Sequence, residues 1–202
     1  MTETDLIDRL VAGSLERVTA WADGQLASSA SPPSAVLPGS FNPVHDGHLR
    51  LARVAQEMLQ APVAFEISVT NVDKPPLAAA EVRARLAQFA SQARVELTRA
   101  PTFLEKSRLF PHATFVVGAD TAERLVATKY YGSEARMTAA LQEIADHGCR
   151  FLVAVRVDDA ARVHALADAA IPQRFAHLFT PIPESRFRLD ASSSAIRARL
   201  TY

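Results

Sequence analysis

The chain has one cysteine, one tryptophan, seven glycines and no net charge in 202 residues, and each scarcity removes a class of explanation. A single thiol, Cys149, cannot close an internal disulfide and gives no basis for a thiolate metal site; it is expected at the edge of a buried strand. Lysine plus arginine equals aspartate plus glutamate at 22 each, so no global field draws in DNA, RNA or an acidic membrane, and any phosphate binding has to be local. No apolar run nears the ~20 residues that span a bilayer. The start Met1-Thr2-Glu3-Thr4-Asp5 lacks the basic opening of a secretion signal. The expectation is a cytoplasmic protein without nucleic-acid or membrane partners.

What is present supports one folded unit. Hydrophobic residues make up 49% of the chain, enough to bury a full core. Residues 5 to 22 carry Leu6, Ile7, Leu10, Val11, Leu15, Val18 and Trp21 at helical spacing, and Ser28 to Pro33 breaks the pattern, so residues 1–31 are expected as a helix and linker. Trp21 is expected to anchor that helix. From residue 32 onward strand and helix alternate. Strands are expected at 35–37, 63–69, 95–97, 114–117, 151–155 and 177–180, and helices near 49–59, 80–92, 102–109, 121–127, 134–147 and 160–169. That order predicts an α/β fold, a Rossmann-like parallel sheet with helices on both faces.

The densest chemistry lies in residues 39 to 48, Gly-Ser-Phe-Asn-Pro-Val-His-Asp-Gly-His. A short strand, Ala35-Val36-Leu37, precedes it; Gly39 and Pro43 make a turn; a helix begins near Gly47 with its free N–H groups available to an anion. His45 and His48 fall about one helical turn apart on one face, and Gly47 between them leaves the backbone bare for a nucleotide. Further along, Phe115-Val116-Val117-Gly118-Ala119-Asp120 is an apolar strand ending in Gly-x-Asp, where open α/β sheets place ligand contacts. Near the end, Ser192-Ser193-Ser194-Ala195-Ile196-Arg197 offers hydroxyls and a helix start, with an arginine able to grip phosphate oxygens. Taken alone, that segment also fits an ordinary capped helix. His112, His147, His164 and His177 have no partner at metal-ligand spacing and are expected to be structural or exposed.

The Gly39 to His48 segment resembles the first signature of the HxGH nucleotidyltransferase superfamily, and Ser192 to Arg197 resembles its Ser-Ser-Thr-x-Ile-Arg motif, with Ser194 in place of threonine. The nearest resemblance is to nicotinamide or nicotinate mononucleotide adenylyltransferases. It begins at about residue 35, giving a nucleotidyltransferase domain at 32–202 of the nucleotidyltransferase α/β phosphodiesterase type. The resemblance implies that His45, His48 and Arg197 hold a triphosphate and stabilise charge at the α-phosphorus. Gly39, Ser40, Phe41, Gly47, Ser192, Ser193 and Ser194 would line the nucleotide. Gly118 and Asp120 would meet its base or ribose, and Lys74 in Asn71 to Leu77 would meet the acceptor phosphate as a point charge. The stretch Glu81-Val82-Arg83-Ala84-Arg85-Leu86 is similar to the helix following that lysine loop in the family.

The implied reaction moves AMP from ATP to a phosphomonoester and releases pyrophosphate, with Mg²⁺ carried on the triphosphate and no protein metal site. CTP would use the same phosphate motifs. Relatives commonly stack nicotinamide on a mid-chain tryptophan, which this chain lacks, so phosphopantetheine, glycerol phosphate and flavin mononucleotide stay open as acceptors. Tyr130 and Tyr131 could form an acceptor lid or simply pack a helix end. A cytidylyltransferase and a non-catalytic nucleotide-binding or partner-binding protein are the alternative readings.

Overall fold

Short apolar segments separated by amphipathic helices can hide both strand surfaces only inside a helix-covered sheet. That arrangement forms in the computed structural model, which describes residues 3–72, 75–157 and 163–189. The strands are β1 (Arg17–Ala20), β2 (Leu26–Ala27), β3 (Ala35–Pro38), β4 (Val63–Ser68), β5 (Val95–Thr98), β6 (Thr114–Gly118), β7 (Arg150–Val157), β8 (Val163–His164), β9 (Phe179–Pro181) and β10 (Arg188–Leu189). The helices are α1 (Glu3–Val11), α2 (Asp46–Leu59), α3 (Ala79–Ala87), α4 (Phe103–Leu109), α5 (Ala119–Leu125) and α6 (Glu134–Asp146). Sheet order runs β10-β7-β6-β3-β4-β5-β1-β2, with β8 and β9 also on β7. Pairing is parallel from β10 across to β5 and between β7 and β9, and antiparallel where β1 joins β5 and β2, and where β8 joins β7.

Chain order moves outward from β3 through β4 to β5, then jumps back to β6 on the other side of β3. The two connections leave β3 and β6 in opposite directions, which opens a crevice above their C-terminal ends. One sheet face carries Leu37, Phe65, Ile67, Leu97 and Val18 against buried residues of α1, α2 and α3 such as Ile7, Leu51 and Val82. The other carries Val36, Phe115, Val117, Phe151 and Val153 against α5 and α6. Local signals set these helices. In α6 the buried positions Met137, Ala140, Leu141 and Ile144 make one stripe, and Ser133 accepts the Arg136 N–H at its start.

Several expectations need correction. The helix foreseen over 5–22 is α1 followed by the β1–β2 hairpin. Gly13, at φ +83°, ends the helix, Arg99 Nη1 donates to the Leu10 and Val11 carbonyls, and β1 then pairs with β5. Val18 matched a helical stripe only because a four-residue strand is too short to show its own period. Trp21 therefore lies in the hairpin, about one-third exposed, with the Arg94 guanidinium 5.9 Å from its ring. Within the span foreseen as a helix at 160–169, the described residues form β8 and a 3-10 turn at Leu166–Asp168. The last foreseen strand starts two residues late, after a 3-10 segment at Gln173–Leu178. Cys149 is buried just before β7, where its Sγ donates to the Phe110 carbonyl.

The burial of the charged residues inside β4 and β5 was not anticipated. Glu66 and Glu96 sit side by side in register, both essentially without exposure. Glu66 accepts from Lys106 Nζ at 2.8 Å and from Thr98 Oγ1, while Glu96 accepts from Thr19 Oγ1 at 2.8 Å and Arg94 Nε at 2.7 Å. Burial raises the Glu96 carboxyl against the opposing pull of Thr19, Arg94 and Arg17. The linker crosses this polar row, where the Ala30 and Ser31 carbonyls accept from Arg17 and Arg94.

Candidate functional site

The loop between β3 and α2 is held by backbone and core contacts before any ligand is considered. Gly39 N–H donates to the Glu66 carbonyl at 2.9 Å. A Cβ at Gly39 would stand 2.6 Å from the Phe41 ring, so only glycine lets that ring tuck beneath the loop. Phe41 has φ 42°, a left-handed conformation that a bulky residue adopts only when its surroundings dictate it. Here they do: the ring is 1% exposed and meets His48, Phe65 and Phe89 edge-on at 4.9, 5.3 and 5.3 Å. Phe41 was expected at the nucleotide; its side chain instead lies in the core and supports His48.

Helix α3 pins the rest of the loop. Gln88 Nε2 donates to the Phe41 carbonyl at 3.0 Å while its Oε1 accepts the Val44 N–H at 2.9 Å, and Arg85 Nη1 donates to the Ser40 carbonyl at 2.8 Å. Ser40 itself is exposed. Gly47 lies in the first turn of α2 between the two histidines, whose rings stack with centroids 3.7 Å apart.

The pair has a defined protonation pattern. His45 N–H donates to His48 Nδ1 at 3.3 Å, which leaves the proton of the neutral His48 ring on Nε2. Burial, with the neighbouring His45 second, pushes His48 down to about 4. Burial also lowers His45, partly offset by Asp46. At neutral pH both rings are uncharged, and an anion placed against them would draw both back towards protonation.

His48 lines a cavity of about 180 Å³ with Pro38, Phe103, Gly118 and Asp120, directly over the ends of β3, β6 and β7. The structure thus brings together His48, Gly118 and Asp120 at the crevice where chain order reverses, with His45 stacked on His48. Gly118 lies on the cavity, and a Cβ there would stand 2.7 Å from Asp120 Oδ1. Tyr131 packs, its hydroxyl donating to the Leu125 carbonyl, and Tyr130 is exposed; neither lines this cavity. Lys74, Ser192, Ser193, Ser194 and Arg197 lie outside the described residues. Leu189, the last described residue, belongs to β10, which runs parallel to β7 in register with Arg156, and the preceding Phe187 is buried with its ring 5.6 Å from Arg50 of α2.

Sequence reading missed Phe103 and Gln88. Phe103 had one signal, a strand end followed by Pro101-Thr102 and a helical run; Gln88 had none. Among the described residues, no three of His, Cys, Asp and Glu converge in a way that could hold a metal, and no helix is long and apolar enough to cross a membrane.

Comparison with known proteins agrees with this geometry. A family model described as cytidylyltransferase-like matches residues 36–199. A probable nicotinate-nucleotide adenylyltransferase of Gluconacetobacter diazotrophicus is 37% identical over 122 residues, covering 52% of this chain and 54% of that protein. One of the same description from Thermus thermophilus is 36% identical over 126 residues, covering 54% of this chain and 67% of that protein. A third, from Xylella fastidiosa, is 33% identical over 87 residues, covering 43% of this chain and 39% of that protein. The chain spans about half the length of the first of these relatives.

Proposed function

The chain belongs to the cytidylyltransferase-like family, and from that premise we propose that it transfers AMP from ATP to the 5′-phosphate of nicotinate or nicotinamide mononucleotide with release of pyrophosphate. The observation that carries this reading is the stacked His45–His48 pair at the mouth of the β3–β6 crevice. Its donors match phosphate oxygens, and Asp120 across the cavity suits ribose hydroxyls. The names of the matched relatives support the acceptor class.

In the proposed reaction an acceptor phosphate oxygen bonds to the α-phosphorus in line with the departing oxygen, and the bond to pyrophosphate breaks. His48 Nε2–H donates to the α-phosphate as charge develops there; His45 steadies the leaving phosphates. Arg197 and the Ser192 to Ser194 hydroxyls would grip the β and γ oxygens, and Lys74 the acceptor phosphate. Gly39 and Gly47 keep the backbone approach clear. The imidazole donors around the cavity suit phosphate oxygens better than a bare cation, so Mg²⁺ is expected to arrive on the triphosphate and to neutralise part of its charge. Residues 32–202 would form the transferase unit, in the cytoplasm.

The test is pyrophosphate release with ATP or CTP against nicotinate and nicotinamide mononucleotides, phosphopantetheine, glycerol phosphate and flavin mononucleotide, with His48→Ala as control. Release from ATP with a pyridine mononucleotide, lost in the variant, is the expected result. Release only with CTP or another acceptor moves the chain to a different branch. Silence across the panel despite ATP binding sinks the transferase reading in favour of a binding protein.

A further inference from the structure

Lys106 is an ammonium with 4% exposure on a seven-residue helix, and the proposed chemistry makes no use of it. Its Nζ donates to Glu66 Oε1 at 2.8 Å and to the Ala100 carbonyl at 2.6 Å. Burying such a pair costs several kcal/mol per ion, and an apolar pair of similar volume is often as stable or more so. Bulk stability therefore does not explain it, whereas directionality does. Glu66 is in register with Pro38, and its backbone carbonyl holds the Gly39 N–H that starts the histidine loop. The same residue's carboxylate holds Lys106, three positions after Phe103 and hence on the same side of α4. Phe103 and His48 line one cavity.

One residue thus fixes both walls: its main chain the histidine wall, its side chain the aromatic wall. The supports around it point the same way. Thr98 Oγ1 donates to Glu66 and accepts the Ala100 N–H, and Thr102 caps α4 reciprocally with Glu105. Segment 99–102 is therefore tied at both ends, and Phe103 rests edge-on against Phe115 and Phe151 at 5.4 and 5.5 Å.

We propose that the buried Lys106–Glu66 pair is a positioning device that sets the separation between the histidine loop and Phe103, and so the fit of the nucleotide in the cavity. Lys106 is a positioning residue and touches no reacting atom. The inference that the occupant is the nucleotide rests on the function proposed above; the placement of the wall does not.

The experiment compares wild type, Lys106→Met and Lys106→Met/Glu66→Leu by thermal unfolding, by amide hydrogen exchange at residues 100 and 102–104, and by steady-state kinetics with ATP and nicotinate mononucleotide. Lys106→Met is expected to lower the melting temperature, to speed exchange selectively at those amides, and to raise the ATP KM about tenfold while kcat and the acceptor KM stay within about twofold. The double variant, which leaves no unpaired buried charge, is expected to recover the melting temperature but neither the exchange protection nor the KM. Recovery of all three in the double variant, or unchanged exchange in Lys106→Met, overturns the proposal and leaves the pair as packing. If wild type turns over nothing, the function proposed above fails while selective exchange in Lys106→Met still supports the positioned wall.

Discussion

At the end of β3 the chain desolvates two imidazoles and leaves them neutral; one strand away, on β4 and β5, it desolvates two carboxylates and surrounds each with donors. Both arrangements cost solvation, and they recover it at different times. The carboxylates are satisfied in the free protein, so their contribution is in place before any ligand arrives. In the proposed reaction the imidazoles would gain their counter-charge only when an anion arrives, so theirs would belong to binding. Substitution should accordingly fall first on stability at the carboxylates and first on turnover at the histidines.

The largest effect is expected on the carboxylate side. Glu66→Ala strands the Lys106 ammonium in the core and should cost about 3–5 kcal/mol of unfolding free energy, read as a lower denaturant midpoint. On the histidine side, His48→Ala should lower kcat by about 10²- to 10³-fold, close to 3–4 kcal/mol of barrier, with ATP affinity much less affected. Its unfolding free energy should hold or rise at mildly acidic pH. If His48→Ala instead unfolds the protein while turnover per folded molecule persists, the division between the two regions is wrong.

That division explains how much of the molecule could be read from sequence. Elements with one dominant signal were legible: β3, β4, β6 and β7 as apolar runs, α2 and α6 as amphipathic helices, and the His45 to His48 spacing, which needs only helical geometry. The β1–β2 hairpin was not, because four residues ending in Val18, Thr19 and Ala20 show no period and what makes them a strand is β5. The burial of Glu66 and Glu96 was equally hidden, since what satisfies them, Lys106 and Thr19, comes from distant positions in the chain. The packing of Phe41 was hidden for the opposite reason: its neighbours suggest a ligand loop, and its buried ring supports that loop from below.

A pH titration sharpens the comparison on a smaller scale. His48 is held near 4 in the folded chain against about 6.5 unfolded, so the unfolded state takes up its proton first as pH falls. Stability from this group is therefore complete above about pH 6.5 and is lost progressively down to about pH 4, on the order of 1–2 kcal/mol once its partial exposure is allowed for. His48→Asn should flatten that slope. Saturating ATP should reduce it as well, because phosphate contact raises the folded-state value; a slope unchanged by both would remove His48 from the phosphate site.

The smallest effect tests where the histidine loop draws its order. Gln88→Ala removes the amide that joins the Phe41 carbonyl to the Val44 N–H and leaves both half-buried groups short of a partner, at a cost of about 1 kcal/mol in stability. Those contacts flank Pro43, next to the stacked histidine pair, so the loss should fall mainly on the site. The ATP KM should rise about three- to tenfold, and the His48 titration should move up towards its ordinary value as water reaches the ring. Should the melting temperature fall with neither change, Gln88 would join the carboxylate row as a residue of the fold, and the Phe41 ring alone would be holding the histidines in place.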